Sequence, residues 1–106
     1  MRDHVEIHVP LVPGGAGGSY PYPWIDRVED FLFDLEEQGV VEVFDDGEQW
    51  GGAYIFFIAG ARTPDLLAAA SRVAALDGVP AGAFAMVTNE RAADFGMGRR
   101  VDLTGR

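Results

Sequence analysis

The order of strand-like and helix-like segments constrains the fold of this chain more than any other feature of its sequence. Apolar and polar residues alternate over 5–11, which is the pattern of a strand with one buried face. Residues 24–38 carry apolar side chains at helical spacing, with proline before them and glycine after them. Residues 40–44 and 53–59 predict two further strands, and Asp45-Asp46-Gly47 between them is typical of a hairpin turn. The segment 46–52 is longer than a tight turn, so we expect a bulge or an extended hairpin tip there.

The second half of the chain predicts a second helix and a further strand. The helix is expected over residues 63–77, because Thr63 can cap its start, proline follows in its first turn, and glycine and proline come after its end. A fourth strand is predicted over 83–88, a short helix over 89–95 and a short edge strand over 100–103. The element order up to residue 88 is therefore strand, helix, strand, strand, helix, strand.

This order has one simple packing solution. It is an α+β, two-layer fold with a four-stranded antiparallel sheet, both helices on one face, strands 1 and 3 in the centre, and a short C-terminal extension. The order over residues 5–88 resembles that of the ferredoxin-like fold, and the resemblance rests on element order without a family motif. Ligand-binding regulatory domains, RNA-binding domains, small oxygenases and inhibitor proteins share that order, so it does not select a function.

The length and composition predict a single domain and exclude several classes of site. A chain of 106 residues has room for one modest core, and the absence of cysteine excludes disulfides, thiolate zinc sites and cysteine nucleophiles. No apolar run approaches the ~20 residues of a membrane span, and the first residues carry no secretory signal, so we expect a cytoplasmic protein. The excess of acidic residues argues against nucleic acid and anionic membranes as partners.

The entire net charge of −9 lies in the segment from residue 26 to residue 48. The acidic and basic residues outside that segment cancel, whereas the segment itself contains a single base, Arg27. A surface of one sign costs stability through self-repulsion, and it attracts and steers a partner of opposite charge. The ten acids of the segment are Asp26, Glu29, Asp30, Asp34, Glu36, Glu37, Glu42, Asp45, Asp46 and Glu48.

The first helix places most of these acids on the side opposite its apolar stripe, with Phe33 in their midst. An aromatic side chain ringed by carboxylates predicts an interface for a basic protein. The alternative is a solvated acidic face that contributes to solubility, with one exposed aromatic residue. The predicted partner-binding residues are Asp26, Glu29, Asp30, Phe33, Glu36, Glu37, Glu42, Asp45, Asp46, Glu48 and Trp50.

Other aromatic residues are candidates for binding anchors or for core. Residues 20–24 form an aromatic, proline-stiffened approach to the first helix, and Trp50 lies at the hairpin. Stiff aromatic side chains bind partners at low entropic cost, but Trp and Tyr are usually well buried in the folded chain. We expect these residues, Trp24 among them, to cap the end of the core.

His4, Glu6 and His8 lie on the same face of the first strand and are the remaining candidates for chemistry. The two histidines are about 13 Å apart along an extended strand, too far to share one metal ion. We therefore predict no metal and no cofactor, and expect these residues to lie on a solvated or dimer-facing strand surface. The glycine-rich segment 13–19 lacks the pattern of a phosphate-binding loop, and no nucleophile has a partner arrangement for catalysis, so no catalytic residue is predicted.

The third predicted strand, residues 53–59, is apolar on both faces, so we expect the helix-free face of the sheet to be covered as well. The C-terminal segment with Phe95, Met97 and Val101 could cover it. A second copy of the chain or a small ligand would serve equally well.

Three functions follow from these patterns. The first is a non-enzymatic protein that docks a basic partner through the acidic helix and hairpin, in its sharpest form an immunity protein that inhibits a bacterial toxin. The likeness to small acidic immunity proteins is one of role, without a shared motif. The second is a ligand-binding or regulatory domain that acts as a homodimer through the helix-free sheet face, with His4, His8, Tyr54 and Phe56 near the site. The third is a small dimeric enzyme that uses His4, Glu6 or His8.

Overall fold

We analysed the chain as a computed structural model that describes residues 4–11, 23–76, 78–80, 82–88 and 99–103, without the side chains at 23, 44–46, 50 and 99. The predicted loop 13–19, the aromatic residues Tyr20 and Tyr22 and the predicted helix 89–95 lie outside the described residues. The elements are β1 (His4–Pro10), α1 (Pro23–Glu37), β2 (Glu42–Trp50), β3 (Ala53–Ala59), α2 (Thr63–Ala74), β4 (Phe84–Thr88) and β5 (Arg99–Asp102).

The described strands form one antiparallel sheet of five strands in the order β2-β3-β1-β4-β5. The α+β class and the antiparallel sheet with two helices are as predicted. The prediction of four strands is wrong, because the short edge strand expected over 100–103 is part of the sheet. This strand, β5, pairs with β4, with Val101 opposite Ala85. It thereby satisfies backbone groups of β4 that would otherwise be unpaired.

The core lies between the helices and one face of the sheet. Alternate residues of β1 (Val5, Ile7 and Val9) are fully buried, and Phe56 and Ala85 lie opposite Ile7 on the two neighbouring strands. The apolar stripes of both helices join this cluster, so both helices pack on the same face. From α1 and α2 the cluster takes Trp24, Ile25, Val28, Leu32, Leu35, Leu66, Ala69, Ala70 and Val73.

The opposite face of the sheet is buried too, although neither described helix lies on it. Ile55 and Phe57 of β3 are as buried as the core residues, in agreement with the prediction for that strand. The prediction of a half-exposed first strand is wrong, since β1 is buried on both faces from Val5 to Val9. Val101, one predicted cover, packs against the helix-side core instead, and Phe95 and Met97 lie outside the described residues.

Gly39 ends α1 in a left-handed turn. Its φ is +76°, its N–H donates to the carbonyl of Glu36 at 3.0 Å, and the N–H of Val40 donates to the carbonyl of Leu35 at 2.9 Å. These two bonds are the Schellman arrangement, which satisfies carbonyls at a helix end and favours glycine in the left-handed position. The predicted C-terminal signal is thereby confirmed.

The hairpin between β2 and β3 turns at Gly51 and Gly52 and not at 45–47, and the bulge or extended tip predicted for 46–52 is confirmed. Residues 45–47 belong to β2, where the register shifts between Val43 and Asp45 and again between Asp45 and Glu48. Such bulges increase strand twist and absorb the extra residues, and glycine at the tip supplies the positive φ that tight hairpins prefer, +61° at Gly51.

The second helix begins at Thr63, and Arg62 is its N-cap with no side-chain cap hydrogen bond, so the predicted Thr63 cap is wrong by one residue. Proline in the first turn and Asp65 near the positive helix end are as predicted. The helix ends at Ala74, before the predicted end. Neither described helix is both long enough and apolar enough to span a membrane.

Gly39→Ala is expected to lower the free energy of unfolding by about 1 kcal/mol or more, because alanine resists a positive φ. Gly52→Ala is the matched control. A Cβ at either position meets nothing within 4 Å, and only Gly39 of the two has a positive φ. Urea denaturation of the two variants measures the difference, and equal losses would contradict the role assigned to Gly39.

Candidate functional site

The outward side of α1 is an acidic surface, as the sequence predicts. We use the term acidic surface for this outward side of α1. Five of its carboxylates on the helix are exposed and Glu29 is half-buried. The helix has an acid in its first turn and no base in its last turn, so the acids near its C-terminus face the negative end of the helix dipole. The exposed acids of α1 are Asp26, Asp30, Asp34, Glu36 and Glu37.

Phe33 protrudes from this acidic surface with half of its side chain, 50 %, exposed. The apolar stripe of the same helix, by contrast, is almost entirely buried, Trp24 and Leu32 included. Burial of Trp24 confirms the prediction that it belongs to the core. The apolar stripe that packs against the sheet is complete without Phe33, so packing of the helix does not require Phe33 to be exposed.

The described residues leave only a small cavity beside Phe33. It has a volume of about 30 Å³ and is lined among others by Glu29, Val43 and Gly47. The described residues around Phe33 thus leave room for about one water molecule.

Glu36 has a structural contact that the sequence did not reveal. Its Oε2 accepts a hydrogen bond of 3.0 Å from the backbone N–H of Val43, at the start of the irregular part of β2. The bond ties the end of α1 to β2. Part of the acidic surface is thus fixed in place by one of its own acids.

The predicted residues of β2 are only partly placed. Glu42 and Glu48 are exposed on this edge strand, and the Glu42 side chain lies against Gly60. The side chains of Asp45, Asp46 and Trp50 lie outside the description, although their backbone is part of β2. By register, Glu42 lies opposite Ala59 and Glu48 opposite Ile55 on the helix-free face, so the structure does not bring these two acids onto the outward side of α1. The role of Trp50 stays a prediction.

Glu6 and His8 form a buried hydrogen-bonded pair on the helix-free face. His8 Nε2 lies 3.0 Å from Glu6 Oε1, and the two residues are 1 % and 4 % exposed. The prediction that Glu6 and His8 lie on a solvated or dimer-facing surface is therefore wrong. The two apolar faces of β3 imply a sheet that is covered on both sides. Because β1 lies next to β3, both of its faces are covered as well, and this predicts the burial of Glu6 and His8.

An aromatic stack extends this pair across the sheet. The His8 ring stacks on Phe84 with a centroid distance of 4.7 Å and an interplanar angle of 16°. The Arg100 guanidinium carbon lies 4.0 Å from the centroid of the same phenyl ring, and Arg100 Nε pairs with Asp102 Oδ1 at 2.9 Å. The stack connects β1, β4 and β5 from the buried centre to the exposed edge.

The remaining polar groups of this face do not form a metal site. His4 lies opposite Thr88 in the β1–β4 register, and Thr88 Oγ1 is buried without a hydrogen-bond partner. Within the described residues, no three His, Cys, Asp or Glu side chains converge so as to hold a metal ion. Tyr54 and Phe56, grouped with the histidines in the sequence analysis, lie on the opposite, helix-side face, so that grouping is wrong.

Comparison of the chain with protein-family models, curated proteins and solved structures finds no match.

Glu36→Ala is expected to lower the free energy of unfolding by about 1 kcal/mol, because the N–H of Val43 loses its acceptor. Glu37→Ala, which removes the same charge from the neighbouring exposed position, is expected to change it by less than about 0.5 kcal/mol. Chemical denaturation of both variants in parallel tests the contact. If Glu37→Ala costs as much as Glu36→Ala, the hydrogen bond does not stabilise the fold.

A double-mutant cycle on Glu6 and His8 is expected to show strong coupling. Glu6→Leu alone removes the buried carboxylate beside His8 and should cost about 2–3 kcal/mol, whereas adding His8→Phe keeps the stack on Phe84 and should recover about 1 kcal/mol or more. The exposed pair of Arg100 and Asp102 is the control, with coupling of at most about 0.5 kcal/mol. Additive losses at Glu6 and His8, measured by thermal or urea unfolding, would contradict the assignment.

Proposed function

We propose that this chain is a non-enzymatic binding domain that docks a basic protein through its acidic surface, with Phe33 as the central anchor. The observation that carries the proposal is the half-exposed phenyl ring of Phe33 among exposed carboxylates. Interfaces commonly combine an aromatic anchor with a polar rim that excludes water from it. The ring supplies apolar area for affinity, and the rim supplies the charge that selects the partner.

Three carboxylates on the outward side of α1 have no cationic partner among the described residues. They are the carboxylates of Asp26, Asp30 and Asp34. Each is four residues from the next, and like charges at that helical spacing repel by a few tenths of a kcal/mol per pair. A partner that brings cations relieves this repulsion, so the charge arrangement favours association over the isolated molecule.

The small volume of the cavity beside Phe33 favours a macromolecular partner. A space of about 30 Å³ beside Phe33 cannot bury a metabolite, whereas a protein surface can cover the ring and the surrounding acids together. The exposed acids on the outward side of α1 accelerate encounter with a cationic cleft. The cationic cleft of a nuclease-type toxin is the sharpest example, with this chain as its immunity protein.

We further propose that the fold is a ferredoxin-like sheet extended by β5. The strand order β2-β3-β1-β4 supports this assignment, together with the packing of both helices on one face. Inhibitor proteins are among the many functions that this element order accommodates, so the fold permits the proposed role without selecting it.

The alternative of a regulatory homodimer through the helix-free face has less support. The apolar side chains at the centre of that face, Ile55, Phe57 and Met86, are already buried in a single chain. A second copy would therefore gain little additional apolar burial there.

Phe33→Ala is expected to weaken binding of the basic partner about 30-fold, the loss typical of an aromatic hot spot, at nearly unchanged stability. The partner is first captured from the source cell on the immobilised wild-type chain at low salt and released at high salt. The purified partner is then titrated with both chains by calorimetry. Val40→Ala, which trims the other exposed large apolar side chain, is the control and should leave the affinity within about twofold.

Asp30→Asn is expected to slow association and to reduce its dependence on salt, because rim charges act mainly on encounter. Asp102→Asn removes the same charge far along the sheet and should do neither. Stopped-flow association at several salt concentrations measures both effects. Equal affinities of wild type and Phe33→Ala, or association that is insensitive to salt, would reject the acidic surface as the binding site.

A further inference from the structure

A second concave surface lies on the helix layer, apart from Phe33. It is a groove of about 480 Å³ between the turn after α1, the segment after β3 and one side of α2. Its volume falls within the range of small-molecule sites, roughly 300–1,000 Å³. We call it the α2 groove, and it is lined chiefly by Val40, Ala61, Arg62, Asp65, Ala68 and Arg72.

The groove exists because small residues stand where two segments meet the helix. Ala61 and Ala68 have side chains too short to fill the space, and the turn at Gly39 also lines it without a side chain. Val40 contributes an apolar wall and is 38 % exposed. The middle of the groove is therefore apolar, open and unfilled by the chain's own side chains.

Two arginines bracket this apolar middle. Arg62 is the N-cap of α2 and Arg72 lies in its last turn, so the helical rise places their Cα atoms about 15 Å apart. In the described part of the chain neither guanidinium forms an ion pair. Arg72 is held from behind, with its guanidinium carbon 5.0 Å from the centroid of the Phe31 ring, which restricts its rotamers before any ligand arrives.

We infer that the α2 groove binds a linear dicarboxylate, with one carboxylate on Arg62, the other on Arg72 and the hydrocarbon chain over Ala68. Guanidinium groups bind carboxylates by paired hydrogen bonds, and a flexible hydrocarbon chain matches an apolar floor. The inference does not depend on the acidic surface and adds a small-molecule site to the proposed protein-binding role.

Asp65 sets the selectivity of this groove. It lies three residues after Arg62 on the same helix and lines the groove, so its carboxylate opposes an anion near Arg62. A dicarboxylate on both arginines also has one carboxylate near Asp65, so Asp65 weakens its binding without excluding it. A compact anion with concentrated charge meets more repulsion there, and the net charge of −9 adds to it.

Titration with hexanedioate, monitored by the amide NMR shifts of Gly39, Val40 and Ala61 at constant ionic strength, tests the inference. Saturable shifts are expected, with affinity roughly tenfold above that for hexanoate and no saturation with 1,6-hexanediol. Equal binding of hexanedioate and hexanoate would show that the two arginines do not act together, and would overturn the assignment.

Variants locate the site. Arg62→Gln and Arg72→Gln are each expected to reduce the hexanedioate affinity to that of hexanoate, whereas Arg27→Gln, an equal charge change on exposed α1, should change it by less than about twofold. Asp65→Asn should strengthen binding, and Ala68→Leu should abolish it by filling the groove while the far-UV circular dichroism is unchanged. Arg27→Gln weakening binding as much as Arg62→Gln would reduce the effect to general charge and overturn the inference.

Discussion

The fold depends on a polar contact in the middle of its sheet. β1 pairs with β3 on one side and β4 on the other and is buried on both faces, so every side chain it carries from Val5 to Val9 must be accommodated without water. Four of the five fit apolar or aromatic surroundings. Glu6 does not, and its carboxylate is tolerated because the imidazole of His8, two residues along on the same face, contacts it. Loss of either partner affects the strand on which both neighbouring pairings depend.

α1 joins this interior to the surface that we propose as the binding site. One side of the helix supplies a large share of the core, and the other side carries exposed acids and a half-exposed phenyl ring. A sequence selected for stability alone would place cations near the helix C-terminus, where this one has Glu36 and Glu37. The core side is strong enough to hold the helix in place despite this repulsion, and Glu36 adds a bond to β2. Stability of the interior therefore permits a surface tuned for something other than stability.

Much of this architecture could be predicted from the sequence because it depends on local patterns. Helical periodicity located α1 within a residue at each end and placed Phe33 outward. The hairpin tip was misplaced because Asp46-Gly47 and Gly51-Gly52 are both turn signals, and the pairing with β3, which is not local, decides between them. The burial of Glu6 and His8 was not predicted, because alternating polar and apolar residues give the same sequence pattern whether the polar face of the strand contacts water or protein. The α2 groove was not foreseeable, since the segments around Val40, Ala61 and Arg72 meet only in the folded chain.

The irregular course of β2 has a consequence for how this molecule behaves in a crowded solution. β2 is an outer strand of the sheet, and a straight, apolar outer strand would be a template for the next chain to join by backbone pairing. Two register shifts break its ladder, and charged side chains such as Glu42 and Glu48 stand along it. The other outer strand, β5, is four residues long and carries the exposed charges of Arg100 and Asp102. The two outer strands among those that the structure describes thus oppose strand-by-strand growth into fibrils.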